Sequence, residues 1–282
     1  SKISVNIGYA LVPLVDEGKV DNLVPKVTRL RKEISKALGF IIPGVRIRDD
    51  LNLEASQYQI KIGQKIVADD IVYADKKLAI AGDSTKLELS GLKVKEPAFG
   101  VDAYWIDKEL QADAEAKGYV IVEPDDVLTT HLSQIINAYA SDLLGQEEVQ
   151  ELLDNLQLSY PNLVDTVVPK VMPLNQVTAV MKCILEEGVP ISDLRLILES
   201  ISSMNVQKMD SDDVAERIRP KLVPLLIQKL IKFKDTVPLI TFSPELEQMI
   251  LTTVRQNPDE KMLLIEGTLA KKILSNLNEA SE

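Results

Sequence analysis

The stretch ISVNIGYALVP at 3–13, then LVPKVTRLRKEISKALG at 23–39, then VRIR at 45–48, changes its hydrophobic period twice. The first segment is a β-rich apolar run closed by the turn chemistry of Asp16-Glu17-Gly18. In the second, Leu23, Val27, Leu30, Ile34 and Leu38 recur every three or four residues, so the spacing predicts one amphipathic helix over 20–38, stopped by Gly39. The third begins a series of short strands at 45–48, 58–62, 66–72 and 78–81, with Gly63-Gln64 as a hairpin turn. Strand, helix, then several strands is the order of an α+β unit.

Outward from this unit the pattern is less regular. Strands are expected at 87–95 and 103–106, a helix over 107–117 ended by Gly118, and a strand at 119–122. Pro124-Asp125-Asp126 opens another helix, with proline at its first position and acids facing its positive end. Leu128, Leu132, Ile135, Ile136, Tyr139 and Leu143 form its buried stripe, and Gly145 ends it. From Gln146 the reading is helical, punctuated by Pro161, Pro169, Pro173 and Pro190. Asp213 with Glu216 reads as a capping box. A last unit is expected from about Lys232, with a strand at 237–242 and helices from 243 and over 268–277.

The 282 residues are 45% hydrophobic and 27% charged, enough for several small cores. A net charge of −11 repels phosphate and argues against nucleic acid. The lone Cys183 lies in an apolar helical segment, which reads as a buried, inert thiol in a reducing compartment. No apolar run is long enough to span a bilayer, and the chain opens directly on a strand without a signal peptide, as an excised domain would.

Catalysis finds little support. The lone His131 precedes a core leucine in a helix and reads as a hydrogen-bonded packing residue, because a general base needs positioned partners. No nucleophile elbow, P-loop, dinucleotide fingerprint or metal-ligand cluster is present, so no catalytic residue, cofactor or metal is expected. The pairs Asp49-Asp50, Asp69-Asp70, Asp125-Asp126 and Asp212-Asp213 are read as caps on strand ends and helix starts.

Several segments are more specific. They are Ile7 to Asp16, Gly39-Phe40 to Pro43, Val45 to Asp49, Lys95-Glu96-Pro97-Ala98-Phe99-Gly100, Gly118 to Val122, Thr130-His131-Leu132-Ser133, Leu144 to Gln150, Leu163 to Pro169, and Val189 to Glu199. In this order and spacing they resemble the cytoplasmic region of the FlhA/SctV family, the export-gate proteins of type III secretion. Glu-Pro-Ala-Phe-Gly and the Pro244–Gln248 run look more like the flagellar branch, with the virulence injectisome gate as the alternative. From a different class, a small-ligand sensor or an enzyme built on the α+β unit stays open.

The resemblance implies four subdomains: a first α+β subdomain at 1–74 and 124–143, an inserted second at 75–123, a helical third at 144–223, and a partial C-terminal α/β subdomain at 224–282. Pro220 and Pro224 depart from the family's uninterrupted helix, and the chain ends before the family's last strand and helix. It further implies a groove between the first two subdomains that binds export chaperone–cargo complexes. Glu96, Phe99, Val101, Val122, Val127 and Thr130 match its lining, and Gly8, Pro97 and Gly100 its structural or hinge positions. The flagellar pattern more often has aspartate where Glu96 stands. Other implied partners are the ATPase complex and its stalk, a switch-type gate protein, and further copies of the chain in a nonameric ring. The implied place is the cytoplasmic face of the bacterial inner membrane, reached through an N-terminal membrane region outside this sequence.

Overall fold

The computed structural model describes residues 1–16, 18, 22–82, 85 and 88–232, and its fold is α+β. Its described residues pack as two compact units, one within 1–32 and 43–136, the other within 33–42 and 137–232.

In the first unit, β1 (Ile3–Ile7) buries Ile3, Val5 and Ile7 on one face, as strict alternation requires. It pairs in parallel with β2 (Val45–Asp49) and antiparallel with β3 (Gln57–Ile62), which carries β4 (Lys65–Ile71) at the outer edge. A parallel β1–β2 pair needs a crossover, and α1 (Leu23–Leu38) supplies it. All five of its periodic apolar residues are buried.

The apolar run expected through Pro13 leaves the sheet at Ile7 and becomes a 3-10 turn over Tyr9–Val15, of which Leu11 alone is buried. The cause lies at Gly8, whose N–H donates to the Gln57 carbonyl at 2.8 Å, while that of Ala10 reaches Ala55 at 2.9 Å. A Cβ on Gly8 would stand 2.0 Å from the Glu54 carbonyl oxygen. The glycine is needed for close backbone approach, not for its dihedrals, which are ordinary extended ones.

A second, antiparallel sheet in the same unit comprises β5 (Lys77–Ile80), β6 (Leu92–Lys95), β7 (Asp102–Ile106) and β8 (Val120–Val122), in the order β6-β7-β5-β8. The strand expected over 87–95 begins only at Leu92, after a bend at Ser90-Gly91. The helix expected over 107–117 is a 3-10 turn, Lys108–Leu110, running into α2 (Gln111–Ala116). Ala79, Tyr104, Ile106, Ala114 and Tyr119 form the core here, with Tyr104 and Tyr119 edge to face at 6.0 Å. α3 (Pro124–Ala138) completes the unit's elements, its last two residues passing into the second unit; the helix expected to reach Leu143 breaks at Tyr139, and α4 (Ala140–Leu143) belongs to that second unit.

The second unit is helical over α5 (Gln146–Gln157), α6 (Pro161–Val167), α7 (Leu174–Glu186), α8 (Leu194–Ser203) and α9 (Ser211–Lys232). Pro161 opens α6 and Pro173 caps α7, where a missing N–H costs nothing. The capping box of α9 lies three residues earlier than expected. The Asp213 N–H donates to Asp210 Oδ1 at 2.8 Å, and the Asp210 N–H to Asp213 Oδ2 at 3.3 Å.

The boundary read between 223 and 224 falls inside α9, which continues through Pro220 and Pro224. Those prolines remove partners from the carbonyls of residues 216 and 220, and Glu216 and Pro220 are both exposed, so water can serve them. The strand and helices expected beyond Lys232 lie outside the described residues.

Candidate functional site

The loop Glu96-Pro97-Ala98-Phe99-Gly100-Val101 joins β6 to β7. Its base is closed by the Glu96 N–H donating to the Val101 carbonyl, and its tip by the Gly100 N–H donating to the Glu96 carbonyl, both at 2.8 Å. Gly100 sits at φ +70, the left-handed region that favours glycine, with open space where a Cβ would be. Pro97 offers no N–H, which removes one donor the tight turn would have to satisfy.

The Glu96 side chain turns inward. It is 3% exposed, and its two oxygens accept from the Ala98 N–H at 2.9 Å and the Phe99 N–H at 2.7 Å. Phe99 beside it is 37% exposed, a large apolar ring held at the surface by a fixed backbone.

Three further groups share Glu96's electrostatic surroundings. Tyr58 on β3 is fully buried, and its hydroxyl lies 2.6 Å from His131 Nδ1 on α3, with the rings edge to face at 5.7 Å. Burial drives the Tyr58 phenol far above its ordinary range, and the charges of Asp70, Glu96 and Asp69 add to the effect. Burial also lowers the His131 imidazole, against an opposing pull from Asp70 on β4. Burial raises the Glu96 carboxyl, the two amide bonds oppose it, and Asp70 reinforces it. His131 is thus a buried, hydrogen-bonded residue, in keeping with its sequence context.

Glu96, Pro97, Phe99, Gly100 and Val101 are brought together by one loop, with Val101 and Pro97 half-buried. Val122 ends β8 and Thr130 stands on α3 beside His131, both half-buried. Val127 departs from the expected groove lining. At 1% exposure it belongs to the core and offers a partner no surface, because it falls on the same buried stripe as Leu128 and His131.

Tyr58 escaped the sequence reading as a site residue, and Asp70 was read there only as a cap. A signal was available: Tyr58 occupies a buried position in the alternation of QYQIKI, where its hydroxyl must find a partner.

The strands that enter and leave the second sheet, β5 and β8, are direct neighbours, with Leu78 opposite Val122. Lys77 and Glu123 form an ion pair across them, and Tyr73 meets Trp105 edge to face at 5.5 Å.

The aspartate pairs serve more varied ends than capping. Asp50 accepts from the Asn52 N–H at 2.9 Å, whereas Asp69 lies within β4 and takes the side-chain amides of Gln57 and Gln59. Asp125 and Asp126 hold Lys26 at 2.5 and 2.8 Å. Cys183 is half-buried rather than buried, yet burial and its 3.0 Å hydrogen bond to Asp212 push the thiol up to about 12, which keeps it unreactive. Among the described residues no cluster of three or more His, Cys, Asp or Glu could hold a metal, and no helix is long and apolar enough to cross a membrane.

A family model described as FHIPEP matches residues 1–282. The chain belongs to the FHIPEP family. Among curated FHIPEP relatives it is 32% identical over 278 residues to the flagellar biosynthesis protein FlhA of Helicobacter pylori, covering 98% of this chain and 38% of that protein. To FlhA of Bacillus subtilis it is 30% identical over 280 residues, covering 99% of this chain and 41% of the relative. The chain therefore spans about two fifths of the length of the relatives it matches. Among solved structures, the Chlamydia pneumoniae CdsV protein superposes with a TM-score of 0.69 at 21% identity, over 93% of this chain and 84% of that one. The nonameric SctV-C of EPEC gives 0.59 at 16% identity, over 91% of this chain and 82% of that one. At these identities the likeness is one of fold.

Proposed function

We propose that this chain is the cytoplasmic docking platform of a bacterial flagellar protein-export gate, binding export chaperone–cargo complexes and helping to order their delivery. The observation that carries this reading is Phe99, an exposed aromatic on a loop whose backbone is locked by its own neighbours. A rigid aromatic that stands ready without further ordering is the kind of anchor on which binding energy concentrates. Val101, Val122 and Thr130 supply half-buried apolar and hydroxyl surface for an amphipathic partner helix.

In this reading 75–123 is a subdomain inserted into one formed by 1–74 and 124–143, and the docking cleft lies at their junction. The adjacent strands β5 and β8 provide both connections, an arrangement suited to hinge motion. The helical stretch from 144 forms the third subdomain. The chain does no covalent chemistry; it binds and orients.

The flagellar branch is favoured because FlhA proteins are relatives at 30% identity and above, while the injectisome likeness is structural. Assembly into a nine-membered ring under the inner membrane is supported by the fold shared with a nonameric SctV-C. Contact with the export ATPase complex and its stalk belongs to the same reading, and the solved complex of CdsV with CdsO supports a second protein as partner of this fold.

Calorimetric titration of an export chaperone–cargo complex tests the reading. Phe99→Ala should weaken binding by at least about 1 kcal/mol with the thermal transition unchanged. Equal affinity in a folded variant excludes this loop as the docking site.

A further inference from the structure

We propose that Glu96 is a positioning residue for the docking loop: its carboxylate works inward, holding the Ala98 and Phe99 amides so that the Phe99 ring stands in one place, and does not itself meet the partner. This rests on the reading of Phe99 as the docking residue. Both oxygens are engaged, one by each amide, and the side chain is 3% exposed. An acid so placed has almost no outward surface with which to set a partner's register. It does have leverage on the neighbouring residue, because the bond to the Phe99 N–H fixes the peptide that carries the ring.

The groups around it determine how that leverage depends on proton concentration. Asp70 on β4 acts on it directly, Tyr58 on β3 feels its charge together with those of Asp70 and Asp69, and His131 on α3 is linked to it only through Tyr58 and Asp70. Asp69 is occupied by Gln57 and Gln59, and at the loop's base Lys95 pairs with Asp102 at 2.5 Å in solvent. No described cation forms an ion pair with Glu96, and Asp70 adds a like charge. The carboxylate is therefore retained by two backbone N–H groups against burial and repulsion, and it takes up a proton more readily than an exposed glutamate. A neutral acid accepts hydrogen bonds about half as strongly, so protonation loosens the loop. Burying a neutral group is also cheaper than burying a charged one, so the loop slackens while the fold as a whole loses nothing.

The test uses the ¹⁵N-labelled chain. In the wild type the Ala98 and Phe99 amide resonances should move together in one titration, centred above the ordinary glutamate range. In Glu96→Gln the titration should vanish and the heteronuclear NOE of both amides should fall, because the glutamine amide nitrogen cannot accept and one of the two N–H groups loses its partner. A residue of merely structural value would lower Tm without any shared titration of the two amides in the wild type. Chaperone–cargo affinity at pH 7.5 should drop about fivefold in Glu96→Gln, the loss expected when one amide loses its acceptor and the other bond becomes a neutral one. Amides that stay ordered and pH-independent in both proteins overturn the proposal, even where Phe99→Ala still abolishes docking. Amides that loosen as expected, with docking indifferent to Phe99→Ala, keep the loop anchor and remove the docking reading.

Discussion

The two sheets of the first unit hold their register by different means. In the sheet of β1 to β4, alternation does the work: Ile3, Val5 and Ile7 face the same way as Tyr58 and Ile60, and a slip of one residue would turn every one of them to solvent. In the sheet of β5 to β8, the central strand β7 is buried on both faces, with Tyr104 against Tyr119 and Trp105 against Tyr73. The edge strands β6 and β8 are short and partly exposed, and β8 has three residues. Register there depends on side-chain fastenings, namely Lys77 with Glu123, Lys76 with Asp107 at 2.8 Å, and the Glu96 loop. A sheet held by its core is hard to adjust locally. One held by staples at its margins can yield at a single loop, which is where a docking surface is best placed.

The largest effect should come from breaking the first sheet at its tightest backbone contact. Gly8→Ala drives a methyl into carbonyl oxygens of residues 54 and 55, neither of which can rotate away. A loss of about 3 kcal/mol or more is expected, read from the urea midpoint by far-UV circular dichroism. A variant as stable as wild type would mean that the Glu54–Ala55 backbone moves freely, and the contrast between the sheets would fail.

Gly100→Ala sharpens the contrast from the other side. Space is open there and the penalty is conformational, so about 1–2 kcal/mol is expected by the same measurement, with β1 to β4 undisturbed.

The smallest effect concerns pH. His131 is held below its ordinary pKa by burial, so the unfolded chain binds the proton first and stability falls as pH drops below the ordinary imidazole range. The contribution is fully present above that range and lost progressively toward the depressed folded value. Tm of the wild type should therefore fall between pH 7.5 and 5.5 by more than that of His131→Gln. Parallel slopes would show that the imidazole is not held neutral.

Much of this was legible beforehand, for a local reason. The stripe Leu23, Val27, Leu30, Ile34 and Leu38 announces α1 through spacing alone, and the alternation of β1 announces its buried face. Where the reading erred, a non-local contact had intervened. The strand through Pro13 was cut at Gly8 by hydrogen bonds to residues 55 and 57. The cap of α9 is the local exception, since the Asp210 acid meets the Asp213 N–H three residues on. Val127 looked like groove lining by family correspondence, and packing placed it in the core.

The chain order of polar and apolar residues determined by itself the α+β class and the positions of most elements, while the family was legible from the resemblance of its motifs. Periods of two and 3.6 are properties of a single segment, so a single segment displays them. Tertiary structure alone decided that Glu96 faces inward to its own loop, and that Tyr58 meets His131 across 73 residues of sequence. Which donor a buried oxygen finds depends on the register of strands and helices packed around it. That register exists only once the unit has closed.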